Sequence, residues 1–142
     1  MYTQKTRRLK IFPEVSPGNH GFQMFNDGGV EVEVAEFLYT LTKMLKPEYV
    51  VETGTHLGIS SSYIGQALLH NNKGSMTTFE IIPELLANAK MLWIDLDVAG
   101  VIEARLQPSL QATIGRPIDL LFLDSEPQLR FDEFVKFWPI VK

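Results

Sequence analysis

One stretch of the chain combines a carboxylate, two glycines and several hydroxyl side chains directly after an apolar run. Residues 50–60 read Val-Val-Glu-Thr-Gly-Thr-His-Leu-Gly-Ile-Ser, in which the groups of chemical interest are Glu52, Gly54, Thr55, Gly58 and Ser60. Glycines in such a turn let a ligand approach the backbone, and a following helix offers its N–H groups to that ligand. The stretch matches neither the G-x-G-x-x-G dinucleotide motif nor the Gly-Lys-Ser/Thr of a P-loop. It predicts a nucleotide-type loop of another kind.

Two further carboxylates follow apolar runs later in the chain. Glu80 comes after residues 76–79 and lies 22 residues beyond Gly58, close to the offset of about 20 at which an acid meets ribose hydroxyls. Asp124 ends the apolar run at residues 118–123. In open α/β sheets ligands bind outside the carboxyl ends of the strands. We therefore expect Glu80, Asp124 and the glycine loop to face one crevice.

Helices and strands alternate along the part of the chain that must position these groups. From Val30 the apolar side chains recur on one helical face that ends before Pro47, and residues 49–53 then form a short β-branched strand. Ser60 is expected to cap the next helix, which runs to about residue 69. The remaining predicted elements are strands over 76–79, 101–106 and 118–123, helices over 83–96 and 129–138, and a helical turn over 109–114.

This alternation predicts an α/β fold, a Rossmann-like parallel sheet with helices on both faces. We expect one such domain over residues 30–142. Residues 1–29, where prolines and glycines alternate with Phe12, Phe22 and Phe25, are expected to form an arm or lid.

Composition excludes several classes of protein. The chain has 142 residues, a net charge of -4 and no cysteine, which rules out a disulfide framework, a thiolate zinc site and a cysteine nucleophile. Its only basic cluster lies at residues 5–10, which argues against nucleic-acid or membrane-surface binding. No apolar run approaches the roughly 18 residues that span a bilayer, so we expect a cytoplasmic protein.

Together these motifs resemble the class I S-adenosylmethionine-dependent methyltransferases. Residues 52–58 resemble the E/D-x-G-x-x-x-G first motif of that family, Phe79-Glu80 its acidic second-strand end, and residues 119–124 its fourth strand. The resemblance covers about residues 30–142, and the most similar branch is the small-molecule O-methyltransferases. It implies four strands in the order 3-2-1-4, the N-terminal part of a seven-stranded sheet.

The resemblance also implies roles for particular residues. In the family the first motif holds the methionine part of S-adenosylmethionine, the second-strand acid holds the ribose, and residues after the third strand frame the adenine. Asp124 is the candidate catalytic residue, and it would help bind a divalent cation that lowers the pKa of a small-molecule acceptor. The chain departs from the family at Gln107-Pro108-Ser109, without the usual Asp, and at residues 124–127, without the usual His. The implied cofactor-binding residues are Glu52, Gly54, Thr55, Gly58, Ser60, Glu80 and Ser109.

Other interpretations stay open. The two glycines can serve only a tight turn and close packing, Glu80 can cap a helix, and Asp124 can cap the turn that follows it. His56 is a packed or solvent-facing side chain more often than a base. The competing functions are a nucleotide-dependent oxidoreductase, and a catalytically silent cofactor-binding or assembly module.

The fourth strand carries an expectation of its own. In the order 3-2-1-4 the apolar run at residues 118–123 lies at an edge of the sheet, where unpaired backbone groups favour association. We expect another copy of the chain, a partner or further residues to cover this edge, and the isolated chain to self-associate.

Overall fold

A four-stranded parallel sheet forms the centre of the protein in a computed structural model that describes residues 16–17, 22–25 and 29–142. The strands of the chain are β1 (Ser16–Pro17), β2 (Gln23–Met24), β3 (Tyr49–Thr53), β4 (Ser75–Glu80), β5 (Ile102–Leu106) and β6 (Leu120–Leu123). The order in the parallel sheet is β5-β4-β3-β6, which confirms the predicted order 3-2-1-4. The two short strands β1 and β2 pair antiparallel ahead of it.

The helices lie close to their predicted bounds. They are α1 (Val32–Leu45), α2 (Ile59–Asn71), α3 (Pro83–Asp95) and α4 (Arg130–Phe137), with single 3-10 turns at Ala99–Val101, Ser109–Gln111 and Trp138–Ile140. Helix α1 ends where Lys46 adopts a left-handed φ of 50° and donates its N–H to the Thr42 carbonyl, just before Pro47. Pro47 cannot continue a helix, so the sequence itself enforces this end.

The core lies on both faces of β3, whose five residues are all buried. On one face Val50 packs with Ile64 and Leu68 of α2. On the other face Val51 packs with Phe137 of α4. Because successive side chains of a strand point to opposite faces, a strand that is buried along its whole length has to be covered on both faces. Helices on both faces of the sheet confirm the predicted α/β class.

The expected cap of α2 is wrong. Helix α2 begins at Ile59, its N-cap is Gly58 with a φ of 78°, and no side chain caps it. The Ser60 hydroxyl instead donates to Glu52 Oε1 at 2.5 Å. A hydrogen bond to a carboxylate is stronger than one between two neutral groups. The Ser60 hydroxyl therefore turns toward Glu52 and not toward the N–H groups of its own helix.

The edge of β6 is not bare over the whole predicted run. The strand covers only Leu120–Leu123, and Ile118 pairs in parallel with Val141. The Ile118 N–H donates to the Ile140 carbonyl at 2.8 Å, and the Lys142 N–H donates to the Ile118 carbonyl at 2.9 Å. Residues 140–142 therefore cover the start of this edge, while the four residues of β6 are half-buried.

The predicted arm or lid falls mostly outside the described residues. Within them, the Gln23 N–H donates to Glu33 Oε2 at 3.0 Å. The Phe25 ring lies 5.9 Å from that of Tyr63 on α2. Residues 22–25 thus contact both α1 and α2. In the described part of the chain, every helix is too short or too polar to cross a membrane.

Candidate functional site

A cavity of about 500 Å³ opens at the carboxyl ends of the four parallel strands. Its wall includes residues 54–57 after β3, 80–82 around the end of β4, 107–111 after β5 and 124–126 after β6. The volume lies within the range of small-molecule sites, about 300–1,000 Å³. Of the predicted site residues, those that line this cavity are Gly54, Thr55, Ser60, Glu80, Ser109 and Asp124.

Gly54 brings the first loop against the end of β6. Its φ is 83°, and a Cβ there would collide with the Asp124 carbonyl group and lie 2.9 Å from Ser125 Cα. The N–H groups of Gly54 and Thr55 both donate to the Phe79 carbonyl at 3.1 Å. Only glycine fits this backbone conformation and this spacing, so the loop is tied to both neighbouring strands.

Gly58 has a packing role at the other end of the loop. It lies outside the wall of the cavity that the described residues enclose. A Cβ on Gly58 would lie 2.7 Å from Trp93 Nε1, which donates to the Gly58 carbonyl at 3.0 Å. The close approach of α3 to the start of α2 therefore requires glycine here.

Glu52 supports the loop from behind. The carboxylate is fully buried, lies outside the cavity wall, and accepts hydrogen bonds from Ser60, Ser61 and Thr78, the last at 2.6 Å. Burial raises the pKa of Glu52 to about 7, although the three hydroxyl donors favour the ionised form and pull it down. Glu52 thus fixes the first turn of α2 against β3 and β4, with its own oxygens already occupied.

Glu80 joins two walls of the cavity. Its Oε2 accepts from the His56 N–H at 2.8 Å, and its Oε1 accepts from the N–H groups of Ile81 at 2.8 Å and Ile82 at 3.0 Å. A carboxylate offers about four lone-pair positions. Three of them meet these backbone groups, which leaves one position, on Oε2, for a ligand.

Asp124 lines the same cavity as Glu80. Its Oδ1 accepts a hydrogen bond from Arg130 Nη2 at 3.0 Å, which also makes the two side chains an ion pair. Burial raises the pKa of Asp124 above its ordinary value, while the Arg130 cation opposes that rise. His56 also lines the cavity, and its Nδ1 is buried without a partner among the described residues. Those residues contain no cluster of three acidic or histidine side chains that could hold a metal ion.

The sequence model of a family described as Methyltransferase domain matches residues 51–141, well over half of the chain. The chain belongs to this methyltransferase family. A protein of Mycobacterium sp. (strain JLS) named Putative O-methyltransferase is 28% identical over 104 residues, which cover 70% of this chain and 46% of that protein. The methyltransferase domain seen here thus spans about half the length of the curated relatives it matches.

Solved methyltransferases share the fold of this domain. The O-methyltransferase TomG from Streptomyces achromogenes, solved in complex with SAM, aligns with a TM-score of 0.71 and 22% identity, covering 82% of this chain and 54% of that one. The O-methyltransferase from Bacillus cereus, in complex with SAH, aligns with a TM-score of 0.70 and 21% identity, covering 79% and 54%. These likenesses confirm the Rossmann-like fold, and the family model confirms the resemblance to the methyltransferases.

The methyltransferase domain also contains a site residue absent from the sequence prediction. Glu133 of α4 is fully buried, lines the cavity and accepts hydrogen bonds from three hydroxyl groups. The donors are Thr53, Ser109 and Ser125. One sequence signal could have found it, since Glu133 lies four residues before the buried Phe137 and shares its helical face. A carboxylate on the buried face of a helix needs partners.

Proposed function

We propose that this chain is the S-adenosylmethionine-binding part of a methyltransferase whose acceptor is a small molecule, methylated on a hydroxyl group. One observation carries the proposal: the Glu80 carboxylate lies in one cavity with the Gly54 loop at the carboxyl ends of the strands. In a member of the methyltransferase family, a glycine loop and a carboxylate that line one cavity suit a ligand that joins a nucleoside to a polar amino-acid tail.

The residues of the cavity fit such a cofactor. The remaining lone pair on Glu80 Oε2 suits one ribose hydroxyl. The cavity volume of about 500 Å³ suits a ligand of this size.

The first turn of α2 is the proposed contact for the amino-acid tail. The N–H groups of Gly54, Thr55, His56 and Gly58 already donate within the protein. Ile59 and Ser60 line the cavity at the start of α2. The first N–H groups of a helix have no acceptor inside the helix and attract anions. They are therefore suited to the carboxylate of the methionine part.

Asp124 is the proposed acceptor-side residue. S-adenosylmethionine, when bound, supplies an activated methyl group, so the protein has to align the acceptor and receive its proton. Burial raises the pKa of Asp124, which makes its carboxylate a better proton acceptor than an exposed aspartate. Arg130 orients that carboxylate from the side. Ser109, Gln107 and Pro108 line the cavity on the side proposed for the adenine.

A divalent cation at Asp124 stays part of the proposal. It would lower the pKa of the acceptor hydroxyl, and a carboxylate is a suitable ligand for Mg²⁺. Arg130 contacts only Oδ1 of Asp124, so the ion would bind through Oδ2 and would need further ligands.

Calorimetry with S-adenosylhomocysteine tests the proposal. We expect wild type to bind and Glu80→Ala to bind about ten- to a hundred-fold more weakly, because a hydrogen bond to a charged acceptor contributes about 1.5–3 kcal/mol. Glu84→Ala is the matched control, since it removes an exposed carboxylate from the first turn of α3. Glu80→Ala leaves three backbone N–H groups without their acceptor and can unfold for that reason. In that case Glu80→Gln, which keeps the shape of the side chain, replaces it in the experiment.

The competing functions give different results in the same experiment. Binding of NAD in place of S-adenosylhomocysteine would favour the nucleotide-dependent oxidoreductase. Binding of S-adenosylhomocysteine without methyl transfer by the full-length protein would favour the silent cofactor-binding module. An unchanged dissociation constant in folded Glu80→Ala would contradict the ribose contact.

A further inference from the structure

One buried carboxylate connects three strand ends that line or support the cavity. Glu133 Oε2 accepts from Thr53 Oγ1 at 2.9 Å and from Ser125 Oγ at 2.7 Å, while Oε1 accepts from Ser109. Thr53 is the last residue of β3, Ser109 begins the turn after β5, and Ser125 follows β6. The side chain of Glu133 is thus a single junction for three loops.

The sheet order makes this junction unusual. Strands β5 and β6 are the two edges of the four-stranded sheet, with β4 and β3 between them. Neighbouring strands lie about 4.8 Å apart, so the two edges are separated by about 14 Å. The segment after β5 has to fold back across the strand ends for Ser109 to reach the same carboxylate as Ser125. Glu133 therefore holds the two opposite walls of the cavity together.

The chemistry of the junction suits a permanent tie. All three partners are hydroxyl groups, and among the described residues Glu133 makes no ion pair that would neutralise it. Hydrogen bonds to a carboxylate are shorter and stronger than those between neutral groups, and a buried carboxylate that loses its donors is strongly destabilised. The donors are therefore held in one arrangement. Ser109 and Ser125 both line the cavity, so that arrangement sets its width.

We propose that Glu133 is a positioning residue that fixes the segment after β5 against the end of β3, and thereby sets the affinity of the cavity for the nucleoside half of its ligand. The proposal rests on the proposed function, because it assumes that residues 107–111 frame the adenine. It goes beyond that function by assigning a role to a helix residue that belongs to none of the predicted motifs. It also gives Ser109 a partner in the segment Gln107-Pro108-Ser109, which lacks the usual Asp of the family.

Calorimetry on Glu133→Gln tests the proposal, with S-adenosylhomocysteine and adenosine as separate probes. We expect both ligands to bind about ten-fold more weakly to Glu133→Gln. The factor should be the same for both, because the amino-acid tail that adenosine lacks is proposed to bind α2, and none of the donors to Glu133 lies on that helix. Asp132→Asn is the matched control, since it neutralises the neighbouring, exposed carboxylate of the same helix and should leave both affinities unchanged. Binding is measured at a temperature where thermal unfolding shows each variant to be folded.

A second variant separates positioning from direct contact and from folding. Thr53 lies outside the cavity wall, so Thr53→Val removes one hydrogen bond to Glu133 without altering the surface that meets the ligand. We expect the same direction of change, a weaker affinity for adenosine in a folded protein. This variant decides the matter if Glu133→Gln fails to fold.

The outcomes are distinct. Folded Glu133→Gln that binds both probes like wild type would overturn the positioning role, even if its melting temperature is lower, because a merely structural residue would give that result. A loss for S-adenosylhomocysteine with no loss for adenosine would also overturn it. Failure of wild type to bind either probe would overturn the proposed function itself, and this inference with it.

Discussion

The buried carboxylate of Glu52 makes the stability of this protein depend on pH in an unusual direction. Its pKa rises from an ordinary value of 4.5 to about 7 in the folded protein, mainly because burial removes the charge from water. One pKa unit corresponds to about 1.4 kcal/mol, so a shift of this size corresponds to about 3 kcal/mol. That is a large part of the free energy of unfolding of a typical domain, about 5–15 kcal/mol.

The sign follows from proton binding. Between pH 4.5 and 7 the folded protein keeps the proton on Glu52 while the unfolded chain releases it. The free energy of unfolding therefore falls as pH rises through this window, and it is highest, as far as Glu52 is concerned, below it. Most carboxylates with native partners show the opposite trend.

Glu52→Gln removes this titration while keeping the shape of the side chain. We expect the difference in unfolding free energy between variant and wild type to grow in favour of the variant by about 3 kcal/mol from pH 4.5 to 8. Urea unfolding followed by circular dichroism at several pH values measures it. The difference between the two proteins isolates Glu52 from the other titrating groups.

Glu103→Gln is a control with the opposite sign. A hydrogen bond from Arg105 lowers the pKa of Glu103, so wild type should lose stability relative to this variant as the pH falls.

Parallel stability curves for wild type and Glu52→Gln from pH 4.5 to 8 would refute the argument, because they would mean that Glu52 titrates alike in the folded and unfolded chain.

Three other predictions concern Gly54, Asp124 and the edge of β6. Gly54→Ala places a side chain at a φ of 83° and against the Asp124 carbonyl. It should lower the free energy of unfolding, measured in urea titrations, by about 1–3 kcal/mol. Gly100→Ala is the control, because the space around Gly100 is open and its stability should not change. If Asp124 holds a cation, Mg²⁺ should raise the melting temperature of wild type with bound S-adenosylhomocysteine and leave that of Asp124→Asn unchanged. Equal responses of the two proteins would show that Asp124 is not a metal ligand. The half-buried edge of β6 predicts self-association of the chain in sedimentation across a concentration series. A folded monomer at all concentrations, with slow amide exchange along residues 120–123, would contradict it.

The sheet was predictable because its local signals agree with its tertiary environment. Apart from Glu52, residues 49–53 are aromatic or β-branched, and Pro47 and Gly54 lie on either side of them. The structure buries all five. The order of the strands came from the family resemblance, which depends on the glycine loop, on Glu80 and on residues 119–124 together. Each of these signals lies within a short stretch of sequence.

The partners of the buried carboxylates were not predictable in the same way. Glu133 meets Thr53 from a position 80 residues later in the chain, and Ser109 from 24 residues later. No local pattern encodes such pairs, since they arise only when the strand ends come together. The same reason explains the error at Ser60, whose hydroxyl met the carboxylate of Glu52 eight residues earlier instead of capping its own helix.

A crystal structure of the chain with bound S-adenosylhomocysteine tests the central claim most directly. We expect the ligand in the cavity at the carboxyl ends of the strands, with a ribose hydroxyl within hydrogen-bonding distance of Glu80 Oε2 and the amino-acid tail at the first turn of α2. A ligand bound elsewhere, or bound in this cavity with its ribose turned away from Glu80, would contradict the account.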